Sequence, residues 1–303
     1  MERIRAYTAK ARSFLKAHRA ARIACIAAGV LLALWLILHP YGTKTFLLLG
    51  MDNYGSIDET GRSDVTMLVQ VDFTRAKISA VTFARDMFIE NEHGRLTKIN
   101  TVVRSSDEQG LCDLLEKNFG VEIDDWFRVN FTTVVQLVDA IGGAEVELTE
   151  EEVRYLNKNA GIYPKYPLKE GLSRLNGGQA LTYARCRKLD SDFGRGERQG
   201  KLLAAMVKQT RHMTAANLVS VFGALKHAWR SSLSLPEQAG LLAKALWLRG
   251  AKLEHIGMPF ENEWRYGNAN DVSGVIADLP ANRALLLEAL HLKDPEPQQA
   301  ESK

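Results

Sequence analysis

The sequence predicts one α/β or α+β domain standing behind a single N-terminal membrane-spanning helix. Three observations predict it. Only one uncharged apolar run is long enough to span a bilayer, and it lies near the N-terminus. Downstream, stretches with strand alternation interleave with stretches of helical spacing. No internal repeat or interior linker divides that remainder, and 303 residues suffice for one large core. Hydrophobic (46%) and charged (25%) contents are ordinary, which excludes wholesale disorder, a collagen-like repeat and a disulfide-stapled mini-fold.

The first forty residues set the expected compartment. Residues 1–22 carry seven bases (Arg3, Arg5, Lys10, Arg12, Lys16, Arg19 and Arg22) against one acid, Glu2. Removing them from 39 bases and 36 acids leaves 32 and 35, so the body is slightly acidic and the overall basicity belongs to the tail. That disfavours nucleic acid as a partner of the body. Residues 23–38 hold no charge, and with Ala20, Ala21 and a snorkelling Arg22 they approach the roughly 20 residues a bilayer needs. A basic flank stays inside. The run ends in His39-Pro40-Tyr41-Gly42 and not in a small-x-small cleavage site. An uncleaved signal-anchor over 23–39 is expected, with the chain from 41 onward outside the cytoplasm.

The elements follow in order. Phe46 to Leu49 reads as a buried strand ending at Gly50. Val65, Met67, Val69 and Val71 alternate in a second strand, and residues 77–83 form a third after a turn at 72–75. Leu111, Leu114, Leu115 and Asn118 have helical spacing, stopped by Gly120. Phe131, Val134, Val135, Val138 and Ile141 share one helical face, capped by Asn130 and ended by Gly142-Gly143. Residues 145–148 alternate again. Two prolines and four glycines make 157–178 a long loop. A helix begins near Arg195 and carries Leu202, Leu203, Met206 and Val207. Beyond 215 the pattern is mostly helical, with one helix from near Pro236 to Leu248 and one strand at 255–258. The expected divisions are a cytoplasmic tail (1–22), the anchor (23–39), a core (46–214), a mostly helical remainder of the same domain (215–293) and a polar tail (294–303).

Several familiar motifs fail. Gly50-x-x-x-x-Gly55 is followed by Ser56, so the P-loop lysine is missing; Gly194-x-Gly196 follows no strand; no GxSxG elbow occurs. No cysteine–histidine group has zinc spacing, and His93 and His255 read as surface or core residues. One disulfide between Cys112 and Cys186 stays open. What remains is an arginine–aspartate constellation at strand ends: Asp52 after the first, Arg62 and Asp64 at the start of the second, Arg85 and Asp86 after the third. Asp52 and Asp64 offer hard oxygen ligands suited to Mg²⁺. A second cluster holds Arg185, Arg187, Arg195, Arg198 and Gln199. If 185–187 is extended, both arginines face one way and Cys186 the other; if helical, they diverge. Arg195 and Gln199 share a helix face. Guanidinium forks match phosphate oxygens, so the set suits a pyrophosphate. The competing reading, in which the arginines pair with Asp190, Asp192 and Glu197 on a solvated face, stays open.

The ordered motifs resemble the LytR-CpsA-Psr family of bacterial cell-envelope glycan phosphotransferases. The matching stretches are LLLGMD (47–52), GRSDVTML (61–68), ARDMF (84–88), KIN (98–100), VNFTTVVQLVDAIGGAEVEL (129–148), LNGGQALTYARCR (175–187) and GRGERQ (194–199), spread over about 46–212. The resemblance implies an α/β/α sandwich around a central mixed sheet, with an apolar pocket for a polyprenyl chain. It implies transfer of a glycan polymer, such as teichoic acid or capsular polysaccharide, from an undecaprenyl-pyrophosphate carrier to a peptidoglycan acceptor at the membrane. Residue by residue, it places the metal-associated aspartates at Asp52 and Asp64. It places the catalytic, pyrophosphate-binding arginines at Arg62, Arg85, Arg185, Arg187 and Arg195, with Gln199 and Arg198 beside them to bind substrate. Three departures stand out: Ala84 where the family has proline, Thr101–Ser106 where it has an aromatic and paired glycines, and a short gap between the arginine clusters. Two other classes remain: a polyprenyl-pyrophosphate hydrolase, and a non-enzymatic binder or regulator of envelope lipids.

Overall fold

The structure is a computed structural model, and it describes residues 42–59, 61–159, 168–189, 192–245, 248 and 251–292. The expected basic tail, signal-anchor and polar C-terminal tail lie outside the described residues. No described helix is long and apolar enough to cross a membrane.

A mixed six-stranded sheet carries the domain. Its strands are β1 (Thr43–Met51), β2 (Ser63–Asp72), β3 (Lys77–Phe83), β6 (Asp125–Asn130), β9 (Arg230–Ser231) and β10 (Lys252–Met258), in the order β10-β3-β2-β1-β6-β9. β2 runs antiparallel to both β1 and β3, whereas β6 is parallel to β1 and β10 to β3. A four-stranded sheet, β11-β12-β4-β5, joins Trp264–Ala269, Val272–Ala277, Met87–Glu90 and Leu96–Lys98. β7 (Ala144–Leu148) and β8 (Gly171–Leu175) make an antiparallel pair.

Strand alternation gives the central sheet two faces. Leu47, Leu49 and Met51 are fully buried on one, against α1 (Ile99–Phe119) through Leu111, Leu115 and Phe119, and against α8 (Leu279–Ala289) through Leu286 and Leu287. Leu48 and Gly50, on the other, look into a cavity roofed by α2 (Phe131–Ala140), α4 (Gly177–Ala184) and α5 (Asp192–Thr210). Helices therefore lie on both faces, as the resemblance implies. α3 (Glu150–Asn159), α6 (Ala215–Leu225) and α7 (Leu235–Ala245) complete the set.

The first three strands, α2 with its Asn130 cap, and β7 stand where expected. Asn130 Oδ1 accepts from the Thr133 amide at 2.9 Å, and Gly142 and Gly143 end the helix with φ of 85° and 94°. Two expectations need correction, one helix extends beyond its sequence signal, and one open pairing is answered. The stretch 157–178 is not all loop, because Gly171–Leu175 pairs with β7 and completes its hydrogen bonding. The part beyond 215 is not mostly helical, since β10, β11 and β12 fill much of 252–277. Helix α1 starts at Ile99, well before the apolar repeat, and is broken at Asp107 (φ 65°), whose carboxylate accepts from the Gly110 amide at 2.9 Å. Cys112 and Cys186 are both buried and free, so they form no disulfide. Ala84 uses what a proline would lack: its amide donates to the Met258 carbonyl at 2.7 Å, tying the end of β3 to β10.

Candidate functional site

One cavity of about 690 Å³ gathers Asp52, Asp64, Arg85, Arg185, Arg187, Arg195 and Gln199. Each is delivered by a strand end or a helix end. β1 stops at Met51 and leaves Asp52 at the rim; β2 brings Asp64 across from it; Arg85 follows β3. Arg185 caps α4, and Arg195 and Gln199 lie in the first turns of α5. α4 sits close to α2 because Gly177 leaves room: a Cβ there would lie 2.3 Å from the Val135 carbonyl oxygen. Its amide donates to Asp139 Oδ1 at 2.7 Å.

The charges are cross-braced. Arg85 Nε lies 2.7 Å from Asp64 Oδ1, with both side chains largely buried. Neither atom makes an aligned hydrogen bond there, so the contact is ionic and leaves lone-pair capacity on Asp64. Arg185 Nη2 is 3.6 Å from Asp52 Oδ1 in a half-exposed pair. The Arg185 guanidinium also lies 4.0 Å from the Phe131 ring centroid and donates to Tyr54 Oη at 3.4 Å. Arg185 has helical dihedrals, yet Cys186 is buried while Arg185 and Arg187 are both exposed at the cavity. The arrangement expected of an extended segment is thus reached through a turn. Tyr155 lines the same wall; burial, and then the neighbouring Cys186, push its phenol up, which keeps it a neutral donor.

Two sequence-predicted residues do not line the cavity. Arg62 is exposed and forms no ion pair among the described residues; Arg85 stands beside Asp64. A register shift at Gly50/Met51 pairs Gly50 with Val65 and Met51 with Ser63, so regular alternation is interrupted at Asp64. Arg198 is 5% exposed: its Nε donates to Glu152 Oε1 at 2.9 Å and its Nη1 to the Cys186 carbonyl at 3.1 Å. It braces the 185–187 turn from behind. Leu202 and Met206 do line the cavity, beside Met67 and Leu137, so the apolar half of the α5 face continues inward from the arginines. Tyr54, Asn130 and Tyr155 also line it and were not singled out in the sequence. Only Asn130 carried a signal, as a helix cap.

Asp52 and Asp64 are the carboxylates of this cavity, and no group of three or more His, Cys, Asp or Glu is gathered among the described residues. Such a donor set fits a cation that keeps water and phosphate in its remaining positions, as Mg²⁺ does; the buried Asp64 Oδ1 without an aligned hydrogen bond is compatible with it.

The model of the LytR_cpsA_psr family matches residues 26–278, most of the chain. The chain belongs to the LytR_cpsA_psr family. Among its LytR_cpsA_psr relatives, it is 28% identical over 184 residues to the polyisoprenyl-teichoic acid–peptidoglycan teichoic acid transferase TagV of Bacillus subtilis (strain 168). That alignment covers 58% of this chain and 46% of TagV, so the chain spans about half the length of that relative. Its fold is like that of TagT bound to LIIa-WTA (TM-score 0.67, 22% identity, 82% of this chain and 91% of that one). It is also like YwtF (TagT) with bound octaprenyl pyrophosphate lipid (TM-score 0.62, 21% identity, again 82% and 91%).

Proposed function

We propose that this protein moves a glycan polymer from a polyprenyl-pyrophosphate carrier onto peptidoglycan. The observation that carries the reading is continuity: one cavity joins a mouth of arginines and aspartates to a bore walled by Met67, Leu137, Leu202 and Met206. A diphosphate and a hydrocarbon chain are the two halves of such a carrier, and few soluble ligands need both surfaces. The teichoic acid transfer for which TagV is named and the lipid held by YwtF (TagT) support the assignment.

In this reading the acceptor hydroxyl attacks the phosphorus next to the glycan. The bond from that phosphorus to the bridging oxygen breaks, the hydroxyl proton is released, and polyprenyl monophosphate leaves. Arg85, Arg185, Arg187 and Arg195 hold the diphosphate oxygens and offset charge that develops on the bridging oxygen. Gln199, whose amide donates to the Ala184 carbonyl at 3.3 Å, fixes the approach of α5 to the turn. The apolar bore positions the chain and excludes water from the leaving side. Asp52 and Asp64 would hold Mg²⁺, which supplies charge neutralisation at the phosphates when bound. The reading includes an N-terminal anchor in the bacterial cytoplasmic membrane, single-pass with the N-terminus inside, which keeps the cavity at the surface where the carrier resides. A reporter fused after residue 303 and active only in the cytoplasm would overturn that topology.

The test uses the full chain in nanodiscs with a lipid-pyrophosphate-linked glycan, peptidoglycan oligomers and Mg²⁺, with covalent transfer followed by mass. Arg187→Ala and Asp64→Ala should each lower the rate by about 10²–10³, the loss expected when one transition-state donor is removed. Phosphate release without transfer would replace the reading with a hydrolase. Binding without turnover across teichoic and capsular cargoes would replace it with a lipid binder.

A further inference from the structure

Helix α5 has a second lined face. Arg195, Gln199, Leu202 and Met206 face the central cavity, whereas Phe193, Glu197, Lys201 and Ala204 line a separate cavity of about 560 Å³ on the other side of the helix. That second cavity is closed by His255 of β10 and by Glu261 and Trp264 at the start of the β11 hairpin. Gly200 lets the helix and β10 approach, since a Cβ there would lie 2.1 Å from the His255 ring. His255 Nε2 is 2.9 Å from Thr82 Oγ1, which fixes the ring. Trp264 is stacked at a tilt on Phe193 (centroids 4.6 Å apart) and edge-on to Tyr266 (5.0 Å), and Tyr266 is 63% exposed. Between them lies a small pocket of about 10 Å³ that shares Arg85, Arg195 and Gln199 with the first cavity and Phe193 and Gly257 with the second.

We propose that the second cavity is a saccharide subsite, in which an uncharged sugar chain lies on the Trp264 surface and donates hydroxyl hydrogens to Glu197 and Glu261. The aromatic cluster supplies an apolar face for sugar C–H groups. The carboxylates supply acceptors, and with one lysine against two acids the cavity repels anions. That balance is opposite to the central cavity's and selects the neutral acceptor glycan over an anionic polymer cargo. The assignment of the chain as acceptor rests on the transferase reading; the binding of a sugar does not.

The test measures binding of chitotetraose, an uncharged N-acetylated oligosaccharide, to the full chain in nanodiscs by calorimetry, with a poly(glycerol phosphate) oligomer in a parallel arm. Trp264→Ala should weaken chitotetraose by about tenfold or more. Because that tryptophan packs against the core, the exposed Glu261→Gln is the second variant, expected to weaken it about threefold. Both should keep the parent's affinity for a polyprenyl pyrophosphate, which also certifies their fold. Unchanged chitotetraose affinity in both variants, or tighter binding of the anionic oligomer at this cavity, overturns the proposal. Loss of polyprenyl-pyrophosphate binding in the parent with chitotetraose binding intact would sink the transferase reading and leave the sugar subsite standing.

Discussion

Arg198 separates a bracing arginine from a ligand-holding one, and Arg198→Ala measures the difference. In the folded chain Arg198 and Glu152 are 6% and 8% exposed and 2.9 Å apart, and the guanidinium also serves the Cys186 carbonyl. Truncation strands a buried carboxylate and a buried carbonyl. Removing one partner of such a pair costs about 3–5 kcal/mol. For a domain of this size each kcal/mol lowers Tm by roughly 2–4 °C, so a fall of about 10 °C is expected by calorimetry or circular dichroism. The 185–187 turn loses its support, and affinity for polyprenyl pyrophosphate should fall with it. The double variant Glu152→Met/Arg198→Met removes both charges and should recover at least half of the lost stability, because an apolar pair leaves nothing stranded. Arg187→Ala, at an exposed position, should lose ligand affinity with Tm within about 2 °C of the parent. If Arg198→Ala also leaves Tm within about 2 °C while abolishing ligand binding, Arg198 is a phosphate ligand and the bracing argument is wrong.

Met206→Trp should fill the inner bore and weaken a long polyprenyl pyrophosphate about tenfold, while a short-chain analogue binds as before; equal losses for both would place the chain elsewhere. In a Cys25→Ser background, Cys112 and Cys186 should resist a thiol reagent at pH about 8 until the protein unfolds: both are buried, and burial, with Glu116 next, pushes the Cys112 thiol up to about 12. Rapid labelling of the native protein would contradict that burial. Burial lowers the pKa of His255, opposed in part by Glu197. The unfolded imidazole therefore binds its proton first as pH falls below about 6.5. Stability from this group is complete above that value and is lost on acidification. His255→Gln should show a smaller drop in Tm between pH 8 and pH 5 than the parent; an equal drop would mean that His255 is not the titrating group.

Part of the central sheet was legible: β2 declares itself twice, by alternation and by a punctuating turn, whereas β6 and β9 carried no signal that was read. Val65 to Val71 alternate, and the Asp72 carboxylate accepts from the Arg75 amide at 2.9 Å to turn the chain into β3. β8 was not legible, since Gly171–Leu175 has no apolar alternation and exists because the edge of β7 needs a partner. β11 and β12 failed for a related reason: Tyr266 and Val272 are exposed, so their pattern does not report a buried face. Within the site, residue type and strand-end position identified the arginines and aspartates. They did not reveal which arginine faces inward. Arg198 and Arg195 are three apart on one helix, and the partner that draws Arg198 away, Glu152, lies on a different element with no local signal.

The charge of the cavity can be argued from the same pairs. Four arginines against two aspartates leave a surplus of two positive charges, which equals the two negative charges of a diphosphate diester before any cation binds; Mg²⁺ would raise the surplus to four. Before the ligand arrives, Asp64 holds Arg85 and Asp52 holds Arg185, so neither of these arginines waits desolvated and unbalanced. Asp52 and Asp64 would hold Mg²⁺ in the proposed complex, and Arg85 and Arg185 would then be left to the phosphate oxygens. On that proposal the aspartates would serve first as placeholders for phosphate and afterwards as ligands of the cation. This reasoning makes the two roles separable. Asp52→Asn and Asp64→Asn should each weaken Mg²⁺-dependent binding of the diphosphate. In the absence of Mg²⁺ the same variants should bind it more tightly than the parent, because the competing carboxylate is gone. Weaker binding in both conditions would mean that the aspartates orient the arginines and do not compete for them.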